Sequence, residues 1–260
     1  MSAAKDGQRP MNDGSIAKAA ALLIAARRTR DPLERLPEDC RPVTADEALR
    51  IQAATVAQMG ERVAGWKVGG VIDGLLSYGV LLASRIVPSG GRIEARDAPL
   101  LGMEAEIGFR FLRDAPPRTQ AYSYAEVAER VIAFPAIEIV ATRYRDYKET
   151  PLIERLADCM SNGAYVVGGD QRDWRSFDLV NIPVTLAFGD QVIVQRSGGH
   201  TAGDPLNPAV DLVNALRTST GVSAGQMMTT GTYTGLNFAT PGRRIRAAFE
   251  RFGAAEVEIV

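Results

Sequence analysis

The chain has 260 residues, with 30 Lys and Arg against 31 Asp and Glu, a formal net charge of −1, and 46% hydrophobic and 23% charged residues. A chain of this size buries a sizeable core without disulfides or a structural metal, and its near-neutral balance argues against gripping nucleic acid or anionic lipid, which needs clustered Lys and Arg. Cys40 and Cys159 stand far apart and outside any zinc spacing, and a single histidine, His200, excludes multi-histidine metal sites, so a reducing cytoplasm is the expected compartment.

At the N-terminus, the apolar run at residues 19–26 is too short to span a bilayer, and no membrane association is expected. Ser15 is a plausible cap for a first helix over residues 15–30, followed by a loop with Pro32, Pro37 and Pro42. Thr44-x-x-Glu47 is a capping-box pattern, and Ala45, Leu49, Val56 and Met59 follow at helical spacing up to Gly60. From Ala64 the period changes to two and glycines become frequent, which marks extended chain with sharp bends.

The remainder reads mainly as strands: residues 102–111 alternate cleanly, residues 181–188 and 191–194 flank a Gly189-Asp190 hairpin signal, and residues 231–236 and 243–260 look extended. Helices are expected at residues 124–132, started by the Ser123-x-x-Glu126 box, at 151–160 behind Pro151, and at 208–216 with Asn207 as cap. Helices first and strands thereafter predict an α+β chain, with a helical portion over residues 1–63 and a β-rich portion over 64–260.

Three features carry potential chemistry. Gly65, Lys67 and Gly69 share one strand face, which leaves the lysine unobstructed; it is either a solvated surface lysine or, in a closed pocket, a proton carrier or Schiff-base nucleophile with a lowered pKa. In the strand over 102–111, Met103, Ala105, Ile107, Phe109 and Phe111 make one face, so Glu104 and Glu106 point together from the other. By itself that pattern also describes the outer face of an antiparallel sheet. Glu138 is different, because it interrupts a run over 133–141 that is apolar on both faces, where an unpaired carboxylate is costly. Two readings stand: a hard divalent cation, Mg²⁺ or Mn²⁺, held by the three glutamates, or a buried salt bridge from Glu138 to Arg143, Arg145 or Lys148. The turns at 158–163 and 229–235 offer hydroxyls and amides suited to a carboxylate, and equally to plain turns. No GxGxxG, GxxxxGK[ST] or GxSxG pattern is present.

Taken together and in order, Gly65-Trp66-Lys67-Val68-Gly69, Met103-Glu104-Ala105-Glu106-Ile107, Pro135-Ala136-Ile137-Glu138-Ile139-Val140 and the segments 158–163, 203–216 and 231–236 resemble the 2-keto-4-pentenoate hydratase family, from about Val43 to the C-terminus. That family sits within the fumarylacetoacetate hydrolase superfamily and also contains 4-oxalocrotonate decarboxylases. The resemblance implies a β-rich fumarylacetoacetase-type core of mixed sheets, forming a roll or sandwich, with a helical N-terminal portion. It implies Mg²⁺ or Mn²⁺ on Glu104, Glu106 and Glu138, Lys67 as the active-site lysine, and Ser161, Thr232 and Thr234 near the substrate carboxylate.

The implied activity is metal-dependent addition of water to a 2-hydroxy-2,4-dienoate in aromatic catabolism. Decarboxylation of a 2-oxo-enedioate, C–C hydrolysis on the same site, or a non-catalytic partner subunit are the alternatives. A homo-oligomer, or a complex with a neighbouring pathway enzyme, is also implied. Two departures stand out: the loop after Lys67 is short and carries Ser77 where the family has an acid, leaving Asp73 as a substitute acid–base group, and Asp204 stands where hydratases tend to have histidine.

Overall fold

The computed structural model describes residues 10–72 and 74–260. Two helices come first, α1 (Asp13–Thr29) and α2 (Ala45–Met59). The cap of α1 is Asn12, not Ser15: the Asn12 side chain accepts from the Ser15 amide at 2.9 Å, which places Ser15 inside the first turn. Thr44 caps α2 as expected, accepting from the Glu47 amide at 3.2 Å. The Glu47 carboxylate, however, takes the amides of Val43 and Met11, so it ties α2 to the chain ahead of α1 and does not complete the box.

The elements that follow are β1 (Val63–Ile72), β2 (Leu75–Leu82), β3 (Ile86–Pro88), β4 (Gly91–Ile93), β5 (Gly102–Phe111), α3 (Tyr124–Ala128), β6 (Val131–Val140), α4 (Leu152–Ala157), β7 (Asn162–Val167), β8 (Pro183–Phe188), β9 (Gln191–Ser197), α5 (Leu206–Leu216), β10 (Met227–Thr232), β11 (Asn237–Phe238), β12 (Arg244–Phe249) and β13 (Gly253–Ile259). The Ser123/Glu126 box forms in both directions, but α3 stops at Ala128 because the chain enters the buried strand β6 at Val131. Pro205, not Asn207, precedes α5. The extended segment expected at 231–236 is mostly bend: β10 ends at Thr232 and the chain turns into the short β11.

Eight strands form one mixed sheet in the order β2-β1-β10-β5-β6-β7-β3, with β11 beside β5; the other five form a second sheet, β4-β13-β12-β8-β9. One face of β5, Met103, Ala105, Ile107 and Phe109, packs with inward residues of the second sheet such as Leu186, Ile245 and Phe249, and with Leu212 and Val213 of α5. Each of the larger of these fully buried side chains contributes roughly 1.5–3 kcal/mol. The helices α1, α2 and α4 share a separate cluster around Leu36, Tyr144 and Leu156. The opposite face of the large sheet is nearly filled by Leu81, Phe134, Ala136, Tyr165, Val167 and Met227, and β2 comes round to approach β7. Among the described residues, no helix is long and apolar enough to cross a membrane.

The parallel pairing of β1 with β10 depends on Gly65, where a Cβ would lie 1.8 Å from the Met227 carbonyl oxygen. Gly65→Ala is expected to lower the urea midpoint by an amount equivalent to about 3 kcal/mol. Gly70→Ala on the same strand, with open space around it, should leave it within about 0.5 kcal/mol.

Candidate active site

Strand register assembles the site. Glu104 of β5 lies opposite Glu138 of β6, which lies opposite Tyr165 of β7; Gly108 of β5 lies opposite Thr229 of β10, which is in register with Lys67 of β1. Because side chains alternate, all of these, with Glu106, share the face of the large sheet that turns inward. Room for them comes from small neighbours: Ala136 is opposite Glu106, and a Cβ on Gly108 would come within 2.2 Å of the Tyr165 hydroxyl.

One carboxylate oxygen from each of Glu104, Glu106 and Glu138 lies within 4.8 Å of the others. Lys67 Nζ lies 2.8 Å from Glu138 Oε1 and 3.9 Å from Glu104 Oε2. Glu138 is completely buried and Glu106 nearly so, while Lys67 and Glu104 keep 14% and 15% of their side chains exposed, enough to reach a mouth. Asn162 Nδ2 donates to the same Glu138 oxygen at 3.3 Å. Burial, together with Glu138, raises Glu104 to about 6 against the pull of Lys67. Burial, Glu138 and Glu104 raise Glu106 well above the usual carboxylate range. For Lys67, burial acts downward but is outweighed by the Glu138 and Glu104 charges and the hydrogen bond to Glu138, so its pKa lies above the ordinary value. A lowered, Schiff-base-type lysine, as a closed pocket would suggest, is therefore not what the site contains.

The salt-bridge alternative takes a different form from that expected. Arg143 pairs with Asp158 and Arg145 with Glu34, so the cation at Glu138 is Lys67, from another strand. One ammonium among three carboxylates leaves Glu106 Oε2 and Glu138 Oε2 buried without a partner, and the hydroxyls of Ser161, Tyr165 and Thr229 are unpartnered too. Orphaned buried oxygens are rare, and an all-oxygen set around excess negative charge fits a hard divalent cation. The Glu104/Glu106/Glu138 cluster could hold one.

Ser161 stands on an unexpected backbone. Cys159, Met160 and Ser161 have φ of 51°, 54° and 56°, three successive left-handed residues, none of them glycine. Each costs roughly 1–2 kcal/mol. The turn is fastened by Asp158, which accepts from the Arg143 amide and guanidinium, and by the Ser161 carbonyl, which accepts from the Ala141 amide at 2.9 Å. It seats against two glycines: a Cβ on Gly79 would meet the Cys159 carbonyl at 2.3 Å, and one on Gly69 the Met160 methyl at 2.6 Å. This is why the helix expected to reach residue 160 ends at Ala157.

The remaining expected residues fall as follows. Thr234 Oγ1 accepts from the Ala105 amide at 3.1 Å and Thr232 Oγ1 from the Thr234 amide at 3.0 Å, so these hydroxyls are engaged with backbone between the two glutamates of β5. Ser77 is buried on the site face, its hydroxyl donating to the Gly70 carbonyl at 2.5 Å. Asp73 lies outside the described residues. Tyr165 was missed by the sequence reading, since its strand reads as plain apolar core, and Thr229 and Asn162 were noted only within longer polar segments.

No family model matches the chain. Its sequence is similar to 2-keto-4-pentenoate hydratase 2 of Dechloromonas aromatica (strain RCB), 27% identical over 249 residues, 90% of this chain and 94% of that protein. It is similar to the 2-keto-4-pentenoate hydratase of Burkholderia vietnamiensis (strain G4 / LMG 22486), 28% identical over 233 residues, 85% and 88% of the two chains. A 4-oxalocrotonate decarboxylase of a Pseudomonas species is 26% identical over 226 residues, 82% and 86% of the two. Among solved structures, 4-oxalocrotonate decarboxylase from Pseudomonas putida G7, complexed with magnesium and adipate, superposes with a TM-score of 0.82 at 19% identity over 97% of this chain and all of that one. The resemblance read from the residues thus extends over most of the chain, and the fumarylacetoacetase-type fold expected from it is the fold observed.

Mn²⁺ should raise the melting temperature of chelator-stripped protein, and Glu106→Gln should abolish that rise. Without metal, Glu106→Gln should melt no lower than the parent, because a buried carboxyl that its surroundings already drive towards the neutral form is replaced by a neutral isostere. Elsewhere, His200 is buried against Tyr233 at 4.9 Å between ring centroids, and its Nδ1 accepts from the Ala202 amide. Burial, partly offset by the Gly231 backbone, the Asp204 charge and the Thr230 backbone, lowers its pKa to about 4. The neutral ring is the folded form, so stability should fall as pH drops from 6.5 through 4, by roughly 3 kcal/mol once protonation is complete. His200→Asn, which keeps an acceptor for Ala202, should flatten that part of the pH–stability curve measured by denaturant titration.

Proposed function

We propose that the protein is a metal-dependent hydro-lyase that adds water to a 2-hydroxy-2,4-dienoate to give a 4-hydroxy-2-oxo acid. The observation that carries the reading is the set of three carboxylates, with oxygens within 4.8 Å of one another and one lysine between two of them, in a chain similar in sequence over most of its length to 2-keto-4-pentenoate hydratases. Glu104, Glu106 and Glu138 would hold Mg²⁺ or Mn²⁺. Such a cation supplies Lewis-acid stabilisation of negative charge on the substrate's 2-oxygen.

The chain's own groups do the rest. Ser161 Oγ, Tyr165 OH and Thr229 Oγ1 are buried hydroxyls with donor capacity to spare, which suits them to bind the substrate carboxylate and enol oxygen. Tyr165 stays neutral, because burial and the charges of Glu106 and Glu138 raise it well above its usual range. Lys67, held as an ammonium, is a general acid: it delivers a proton to the terminal carbon and takes up the enol O–H proton in its place, which ketonises the dienol, makes its remaining double bond electrophilic and restores the ammonium. Water then adds, oxygen to the far carbon and hydrogen to the carbon next to the carbonyl. Thr232 and Thr234, through their hold on Ala105, keep Glu104 and Glu106 in register. Asp73 is the substitute acid–base group of this reading.

Decarboxylation of a 2-oxo-enedioate is the second reading, favoured by similarity to a 4-oxalocrotonate decarboxylase over 82% of this chain. The reading includes a homo-oligomer, in keeping with Val71 and Leu75 exposed at the tip of the β1–β2 hairpin, and a cytoplasmic setting, in keeping with two free cysteines.

Chelator-stripped protein incubated with 2-hydroxypenta-2,4-dienoate should yield a product heavier by one water only when Mg²⁺ or Mn²⁺ is restored. Glu138→Ala should abolish it, and Lys67→Met should lower kcat/KM by roughly 10²–10⁴-fold. Turnover that survives both chelation and Glu138→Ala refutes the proposal, and loss of CO₂ from a 2-oxohexenedioate in place of hydration establishes the second reading.

A further inference from the structure

A cavity of about 120 Å³ lies at the C-terminal end of α1, and the Lys67 cluster is not among its lining. Five arginines line it, Arg27, Arg30, Arg85, Arg96 and Arg143, with Asp97 as the one carboxylate. Three of the five have an acidic partner. Arg30 holds Asp97 Oδ1 at 2.9 and 2.6 Å, Arg143 pairs with Asp158, and Arg96 faces Glu94 at 3.7 Å on the surface. Two do not. Arg85 donates only to neutral carbonyls, Gly163 at 2.7 Å and Asp97 at 3.0 Å, and among the described residues Arg27 makes no ion pair. Burial, then the Arg143 charge, and Arg85 behind it push the Arg27 pKa down to about 10, although Asp158 acts the other way. Like charges in a partly closed cavity, with donors left over, leave an unmet demand for negative charge.

We propose that this cavity is a binding site for a small dianion, a phosphate group or a short dicarboxylate, whose two charges are met by Arg27 and Arg85. Guanidinium forks suit the paired oxygens of either group, and the cavity is of a size for a small anion. The site is tied to the chemistry through main chain. Arg143 also donates to the carbonyls of Asp158 and Asn162, and Arg85 to that of Gly163, so the same arginines grip the turn that carries Ser161 and the Asn162 amide that donates to Glu138. An anion that orders these guanidiniums stiffens that turn from behind.

The test uses the full chain, stripped of metal, in a low-salt zwitterionic buffer. Calorimetric titration with phosphate and with succinate should give saturable binding by at least one of them, and acetate at equal ionic strength should bind at least tenfold more weakly. Preference between the first two identifies the group recognised. Arg27→Met, which keeps the apolar stem, should weaken dianion binding at least tenfold and, in anion-free buffer, melt no lower than the parent. Absence of saturable binding, equal binding of acetate, undiminished binding by Arg27→Met, or a lower melting temperature of Arg27→Met without anion would each overturn the proposal; the last would make Arg27 a structural residue. None of these readouts involves turnover, so they stand or fall apart from the hydratase reading.

Discussion

Three carboxylates and one ammonium on a single inward sheet face leave two uncompensated negative charges in an environment that solvates them poorly. Proton uptake relieves this in part, as the raised values of Glu104 and Glu106 indicate, and a hard cation relieves it more fully. Lys67 does not compete with such a cation for the whole of Glu138. It takes Oε1 together with Asn162, and Oε2 is left over. The lysine therefore orients Glu138 and keeps its own proton, and the same ion pair provides both.

The scaffold is arranged around keeping those charges together. β5 and β6 pair without interruption along their whole length, which puts Glu104 and Glu138 side by side and gives Glu106 an alanine for a neighbour. A one-residue slip would send all of β5's glutamates to the apolar face, and the packing of Met103, Ala105, Ile107 and Phe109 against the second sheet opposes any such slip. Beyond Thr229 the register of β10 shifts, and the threonine hydroxyls past that bulge take up the freed backbone of Ala105. The left-handed turn at Cys159–Ser161 is a run of three successive non-glycine residues held against the backbone's own preference, and the buried Arg143–Asp158 pair holds it.

How much of this was legible in the sequence follows from which signals are local. Alternation in 102–111, the solitary carboxylate in an apolar run and the glycines around Lys67 drew attention to Glu104, Glu106, Glu138 and the lysine but left their roles open between a site and plain sheet surface or salt bridge; the roles came from the resemblance. Capping was only half legible: Thr44 is a cap, but its partner Glu47 prefers two amides on another segment, a tertiary choice no local pattern encodes. The strained turn left no trace, because cysteine, methionine and serine carry none of the usual marks of positive φ. Tyr165 was hidden for the opposite reason, since a tyrosine in a strand is ordinary until register sets it beside Glu138. The direction of the Lys67 pKa was misjudged because burial was weighed without its neighbours.

Ser77 stands where the family that the sequence resembles has an acid, and the structure shows what the serine does instead. Its hydroxyl closes onto Gly70 within the β1–β2 hairpin, whose strands meet at Ile72 and Leu75 with only two residues between them. A carboxylate at position 77 would bring a fourth negative charge to the face that carries Lys67, in the space over Gly69 that Met160 already shares. With serine there, the Met160 turn seats against the hairpin, and the carboxylates acting on Lys67 are Glu138, Glu104 and, more weakly, Glu106. The acidity of such an ammonium is set by its carboxylate neighbours, and whatever neutralises those carboxylates makes Lys67 a stronger acid.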